Sequence, residues 1–339
     1  MTTRRSAIAA LLTLTTLAAC GGPGSAAASG EQVKELRYQG WVGAVTPAEL
    51  AESLGYLGDV KLKWIGNTIS GPQDIQAATT GDTDFGGAFN GAIVKLKVSK
   101  APITAVVSYY GSDKGNYSGF FVLENSPVKS ARDLIGKKIG VNTLGAHSEA
   151  ITKTYLTRAG LTPEEIKQVE LIVVPPVNTE QSLRAGQIDV AALSGTLRDV
   201  AIEHGGIRPL YTDVDLLGDF NGGSYVLRDD FIKKNPDTVR RFTTAVAKAV
   251  DWSRDQPVET VRAKFEEIIA KRGRNEDTKQ VKFWKSYGVV SPGGKIADTD
   301  FSVWIDWLNG TGELKKNDLK PADLYTNDYN DLAKGGAAG

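Results

Sequence analysis

The chain is poor in the residues that build covalent and metal frameworks: its 339 residues include one Cys and two His. One thiol cannot close an intramolecular disulfide, and with two imidazoles it cannot assemble a Cys/His zinc cluster. Neither sign of charge is in excess, since 40 Lys plus Arg face 40 Asp plus Glu. A nucleic-acid protein normally carries a basic balance or a basic face, so no nucleic-acid partner is expected. Beyond the N-terminus no apolar run approaches the length of a membrane-spanning helix. The catalytic signatures GxSxG, GxxxxGK[ST] and HExxH are missing. Ser148 beside His147 is not a triad, because neighbours at a helix start point apart. What remains, 41% hydrophobic and 24% charged, is the composition of a globular protein long enough for about two domains. Binding without chemistry, with no cofactor and no metal, is the expectation.

The N-terminus explains the lone Cys. Arg4 and Arg5 precede an uncharged stretch, Ala7 to Ala19, too short to span a bilayer but suited to a signal-peptide core. It ends in Leu17-Ala18-Ala19-Cys20, which resembles a bacterial lipobox. That resemblance implies cleavage after Ala19 and lipidation of the Cys20 thiol. Residues 1–19 are then a signal peptide that leaves by the Sec or the twin-arginine route. Loss of Arg4 and Arg5 lowers the 40 cations to 38 against 40 anions. Residues 20–33, rich in Gly, Ala and Ser, read as a flexible tether. The mature protein is expected at the cell membrane, lipid-anchored and facing the extracytoplasmic side.

The rest alternates short β-rich runs with amphipathic runs, the pattern of an α/β fold. Strands are expected at 35–39, 60–65, 83–87, 103–110, 138–142, 170–174 and 189–193. Helices are expected at 72–80, 148–159, 179–185 and 236–255, with a helical C-terminal part at 258–272, 277–287 and 300–308. An internal echo adds topology. Gly81-Asp82-Thr83-Asp84-Phe85-Gly86-Gly87-Ala88 recurs 105 residues later as Gly186-Gln187-Ile188-Asp189-Val190-Ala191-Ala192-Leu193. Each Gly suits a left-handed helix cap, and each Asp is placed to bond nearby backbone N–H groups. A second echo pairs Gly119–Leu123 with Gly223–Leu227. The expectation is two lobes of one βαβ design joined by two crossing strands. Residues 34–122 and 224–330 form lobe 1, 123–223 form lobe 2, and 331–339 are a flexible tail. Phe120–Leu123 and Tyr225–Leu227 are the candidate hinges.

In open α/β sheets, ligands bind where strand C-termini and helix N-termini meet. The loops there are therefore the candidate site. Gln39-Gly40-Trp41 follows the first strand, and Trp41 offers either a stacking face or lobe packing. Ser70-Gly71-Pro72-Gln73 opens a helix, with Ser70 as a candidate N-cap and free N–H groups that suit an anion. Phe89-Asn90 follows the first echo, and Ser194 follows the second. Tyr109-Tyr110 closes a Val-rich strand, so alternation points one ring inward and one outward. In the second lobe Thr143, Gly145, His147 and Ser148 lie between strand and helix; His147 is either a ligand contact or a surface cap. Arg198 reads as a solvated helix residue or an anion partner. Asn221 completes the candidate set.

The lipobox, Tyr38-Gln39-Gly40, Gly71-Pro72-Gln73, Gly81–Gly86, Asn125–Ser130 with Asp133–Val141, and Gly186–Asp189 together resemble the substrate-binding lipoproteins of ABC importers. The resemblance is to the nitrate/sulfonate/taurine branch, which includes thiamine-pyrimidine binders. It covers about residues 35–330 and implies a type II, two-lobe periplasmic-binding-protein-like fold. It also implies a monomer that delivers a small-molecule solute to an ABC permease and its ATPase, with Gln39, Ser70, Gln73, Asn90, Thr143 and His147 lining the cleft. Many members carry a Trp- and Pro-containing segment where this chain has Leu193-Ser194-Gly195-Thr196-Leu197. A small organic anion, an aliphatic sulfonate foremost, is the expected solute. A heterocyclic or aromatic solute, or an exported enzyme on the same fold, are the alternatives. The related pyrimidine synthases carry a Cys-rich motif that this one-Cys chain lacks, which counts against that activity.

Overall fold

The computed structural model describes residues 31–310, 312–314 and 319–334. The chain divides into Met1–Glu31 and a body, Gln32–Gly339. The signal peptide, the Cys20 lipidation site and the tether up to residue 30 lie outside the described residues.

The first half of the body contains β1 (Glu35–Gly40), α1 (Pro47–Ser53), β2 (Lys61–Asn67), α2 (Gly71–Thr80), β3 (Phe85–Phe89), α3 (Asn90–Val98) and β4 (Ile103–Ser112). The second half runs β5 (Ser118–Leu123), β6 (Lys138–Val141), α4 (His147–Arg158), α5 (Pro163–Ile166), β7 (Glu170–Val173), α6 (Pro176–Arg184), β8 (Val190–Ser194), α7 (Gly195–His204), β9 (Ile207–Thr212) and α8 (Asp213–Leu217). The chain then returns with β10 (Phe220–Arg228), α9 (Asp229–Lys234), α10 (Pro236–Asp255), α11 (Val258–Lys271) and α12 (Thr299–Gly310).

Local chemistry sets many of these boundaries. Thr46 and Glu49 form a capping box at α1, with Pro47 in its first turn. Ser70 caps α2, and Gly81 ends it in the left-handed conformation at φ 86°. In α10, Val239, Phe242, Val246 and Val250 recur at helical spacing and are buried.

The sheets repeat one plan. In the second half the order is β7-β6-β8-β5-β9, with β5 antiparallel to both neighbours. In the first half the equivalent strands form a pair, β1-β2, and a triplet, β3-β10-β4, with β10 antiparallel to both neighbours. Alternation on the central strands builds the core. Phe120 and Val122 join a cluster that runs through both halves, while Phe121 faces Leu183, Ile188 and Ala201. On β10, Val226 joins that shared cluster, and Tyr225 and Leu227 face Leu36, Phe85 and Phe242.

Four expectations need correction. Phe120–Leu123 and Tyr225–Leu227 are not hinges, because each is a central strand paired on both edges. The sheets change partners instead across residues 113–117 and 218–219, so the boundaries drawn at 122/123 and 223/224 fall inside β5 and β10. The helix expected at 277–287 is only a 3-10 turn, Val281–Phe283. This segment lies across the end of β4, where Gly111 N–H donates to Tyr287 O at 2.9 Å and Gly288 packs on the Gly111 backbone. The folded body also begins before residue 34: the Gln32 amide accepts from the Asp237 and Thr238 N–H groups at the start of α10. At the other end, Asp331 pairs with Arg240 and Ala333 is buried, so residues 331–333 are folded rather than tail.

Candidate functional site

The end of β3 and the helix α3 that follows it meet the loop after β6, and the start of α7 after β8 meets the segment around Gln280. The rings of Phe89 and His147 meet edge-on with centroids 5.3 Å apart. Gly145 lies near the Lys95 amine, and Thr196 Oγ1 donates to Gln280 Oε1 at 3.4 Å. Around this seam α2, α3, α4 and α7 all begin. Only α2 has a side-chain cap, Ser70 Oγ accepting from Gln73 N–H at 3.4 Å; the starts of α3, α4 and α7 have none. Uncapped helix starts present N–H groups and the positive end of the helix dipole, an arrangement that holds an anion without a cationic side chain.

The candidate residues divide into engaged and available groups. Asn90 is fully buried: its amide donates to Asp300 O and its carbonyl accepts from Ser224 Oγ. Asn221 donates to Ser291 Oγ and Asp300 Oδ2 while accepting from Val290 N–H. Both hold the C-terminal segment to β3 and β10, which leaves neither side chain facing the seam with a free group. Phe89 is buried against Trp304 at 4.5 Å. Tyr109 is the inward ring of the pair, stacked on Tyr225 at 4.1 Å and resting on Gly87. Tyr110 is half-buried over Gly222 and Gly223, whose missing side chains make room for it. Burial raises the pKa of both phenols, and the Asp213 charge adds to the effect on Tyr110.

His147 is not a cap of α4, and one of its ring nitrogens is already engaged. Its Nε2 lies 2.9 Å from Asp213 Oδ2, and its ring is parallel to Phe220 at 5.9 Å. Asp213 is fully buried and also accepts from Ser112 Oγ and Ser118 N–H. This cluster joins the end of β4 and the start of β5 to the starts of α4 and α8. His147 Nδ1 is buried without a partner.

The remaining groups are better placed for a solute. Gln39 Oε1 is buried and has no partner. Trp41, Thr143 and Ser148 are half-buried, and Gln73 and Ser194 are exposed. Gly145, at φ 73°, donates its N–H to Glu149 Oε2 at 2.7 Å. Gly71 packs on Ala88, where a Cβ would lie 2.9 Å from the Ala88 Cα.

Sequence reasoning missed the residues that arrive from far along the chain. Arg274 Nη1 sits 2.7 Å from where a Gly40 Cβ would be, and its guanidinium lies 4.5 Å from the Trp64 ring. It is neutralised there: Glu49 Oε1 accepts from Arg274 at 2.8 Å, and Arg274 Nη2 donates to Tyr38 Oη at 2.6 Å. The only sequence signal was the missing side chain of Gly40. Arg198 is fully buried rather than solvated. It donates to Gly115 O and Tyr117 O, pairs with Asp199, and stacks on Tyr117 at 3.7 Å, clamping the first crossover to α7.

Asp74, in the first turn of α2, is buried with no cation beside it. Its Oδ2 accepts from Gly87 N–H at 2.7 Å, and Oδ1 has no partner. Burial pushes its pKa up to about 7, against the pull of that hydrogen bond. Among the described residues no cluster of His, Cys, Asp and Glu could hold a metal ion, and no helix is long and apolar enough to cross a membrane.

Comparison with known proteins places this geometry. Residues 44–260 match a family described as NMT1/THI5 like. A Brucella abortus protein named as a binding protein is 28% identical over 270 residues, covering 77% of this chain and 79% of its own length. A 4-amino-5-hydroxymethyl-2-methylpyrimidine phosphate synthase of Saccharomyces cerevisiae is 27% identical over 302 residues, 84% of this chain and 83% of that protein. Among solved structures, the alkanesulfonate-binding protein SsuA from Xanthomonas axonopodis pv. citri, bound to MOPS, superposes with a TM-score of 0.68 at 18% identity. The match covers 88% of this chain and 99% of that one. The fold is that of the periplasmic binding proteins.

Proposed function

The chain belongs to the NMT1/THI5-like family, and from that premise we propose that it captures a small organic anion between its two halves and delivers it to an ABC permease. An aliphatic sulfonate is the leading solute. One observation carries the reading: α3, α4 and α7 start at the facing strand ends without side-chain caps. Their N–H groups would hold the anionic head, while Gln39, Trp41, Tyr110 and Thr143 surround the remainder. Neutral donors in a partly desolvated seam favour a singly charged head group, because among the described residues the cations Lys95 and Arg274 are already paired, with Glu313 and Glu49. Export and a lipid anchor at Cys20 complete the proposal, which rests there on the sequence of residues 1–20. The protein acts as a carrier and not as an enzyme.

Isothermal calorimetry of the purified chain against alkanesulfonates, taurine, nitrate and aminopyrimidines tests the reading. A solute at 100 times its dissociation constant should add about 2.7 kcal/mol of stability, so thermal shift gives a first pass. No binding across the sulfonates would sink the leading assignment.

The unpartnered acceptor on Gln39 favours a second reading, a heterocycle that brings an N–H donor, such as a thiamine pyrimidine precursor. Replacing Trp41 with Ala separates the two. A stacked ring should lose roughly 1–3 kcal/mol of binding, by analogy with base stacking, whereas a sulfonate should lose little. Conversion of a bound pyrimidine or sulfonate to product by the pure protein would favour an enzyme over a carrier.

A further inference from the structure

A cavity of about 160 Å³, lined by none of the candidate seam residues, lies beside the first crossover. Its wall includes Asp113, the residue that leaves β4, together with Ser253 and Arg254 near the end of α10 and Lys285, Ser286 and Tyr287. The volume equals roughly five water molecules, room for an oxyanion or a short carboxylate and not for a nucleotide.

The charges around it are not equivalent. Asp113 turns both carboxylate oxygens into the crossover: Oδ1 accepts from Gly115 and Asn116 N–H, each at 2.7 Å, and Oδ2 accepts from Ser286 Oγ at 2.8 Å. That leaves Arg254 and Lys285 as the charged donors on the wall. Arg254 is 42% exposed and pairs with Asp251 on its own helix. Lys285 is half exposed, and its partner is Asp199 at 3.2 Å, on α7 of the other half. The same α7 holds the crossover through Arg198. Lys285 thus stands between the cavity and an ion pair that ties the two halves together.

We propose that this cavity is a second binding site, specific for a small oxyanion or carboxylate, whose occupant competes with Asp199 for Lys285 and so loosens the hold of the first half on α7. By linkage, an anion that favours the loosened state opposes solute capture at the seam if capture requires the halves to close, and each ligand lowers the affinity for the other by the same factor.

The test titrates the whole chain with sulfate and with malonate, against chloride at matched ionic strength. Hydrogen exchange is followed at residues 113–117 and along α7. Sulfate should accelerate exchange in both segments with a saturable midpoint, and chloride should not. Arg254→Gln should leave exchange unchanged without sulfate and raise the midpoint about tenfold, through loss of a charge-assisted contact. Lys285→Gln should show fast exchange from the start and no response to sulfate. A response that does not saturate, an equal response to chloride, or an unchanged midpoint in Arg254→Gln would each overturn the proposal.

Discussion

The two halves of the body follow one plan, and the places where they differ carry the specialisation. A shift of 105 residues maps α2-β3-α3 onto α6-β8-α7. Gly81 and Gly186 are both left-handed, at φ 86° and 68°. Asp84 and Asp189 do the same work, each exchanging two bonds with a neighbouring strand. Asp84 N–H donates to Arg37 O while its Oδ2 accepts from Arg37 N–H; Asp189 does so with Lys138. Other equivalent positions diverge. Asp74 becomes Thr179, Gly86 and Gly87 become Ala191 and Ala192, and Ile93 becomes Arg198. The first half thus carries an uncompensated buried acid and glycines over which Tyr109 and the α2 backbone pack closely. The second half carries a buried cation that clamps the crossover. A shared scaffold tolerates these exchanges because its hydrogen-bonded frame lies elsewhere, at the repeated Gly and Asp.

The largest expected effect comes from making the second half like the first. Arg198→Ile should cost about 3–5 kcal/mol in denaturant unfolding, because two crossover carbonyls lose their partner and Asp199 keeps only the half-exposed Lys285. A loss below about 1 kcal/mol would mean that the clamp is dispensable. Next comes the acid found only in the first half. The folded pKa of Asp74 lies above its usual value of 3.8, at about 7. Its contribution to stability is therefore full below the unfolded pKa and lost as pH rises from about 4 through 7, a swing of at most about 4 kcal/mol. Asp74→Asn should remove this slope and melt higher than the parent protein at pH 8. Equal melting temperatures at pH 8 would show that the carboxylate is compensated.

The repeated acids should then separate by environment. Asp84 is buried and also holds the Arg37 guanidinium at 2.7 Å, whereas Asp189 is half-exposed with Lys137 at 3.6 Å. Asp84→Ala should cost about 2–3 kcal/mol and Asp189→Ala about 1 kcal/mol, each measured by chemical denaturation. Equal costs would place the energy in the shared backbone bonds. The smallest contrast is at the helix starts: Ser70→Ala should cost about 1 kcal/mol through loss of its cap, and Ser194→Ala close to nothing.

Much of this was legible along the chain. The echo of Gly and Asp, with its alternating strands, gave the doubled α/β plan because the interactions behind it are short-range: a left-handed cap, a strand period of two, an N-cap. The long helix at 236–255 was readable for the same reason. The hinge was misplaced because a buried central strand and a crossing strand have the same apolar pattern, and only pairing on both edges tells them apart. The helix expected at 277–287 failed where the backbone instead bonds to Gly111.

For the candidate site, local sequence located the loops and the helix starts but not the state of the side chains on them. Asn90, Asn221 and His147 read as free polar groups, yet each is engaged by a partner at least 66 residues away. Arg274 reaches Glu49 across 225 residues, and Arg198 reaches the crossover across more than 80. The sequence by itself determined the two-half α/β plan and the loops that could meet. Tertiary structure alone decided which polar groups are consumed, which stay unpartnered, and where the halves are tied. The reason is physical: capping and periodicity are set within one or two helical turns, whereas desolvation and hydrogen-bond satisfaction depend on whatever the fold brings alongside.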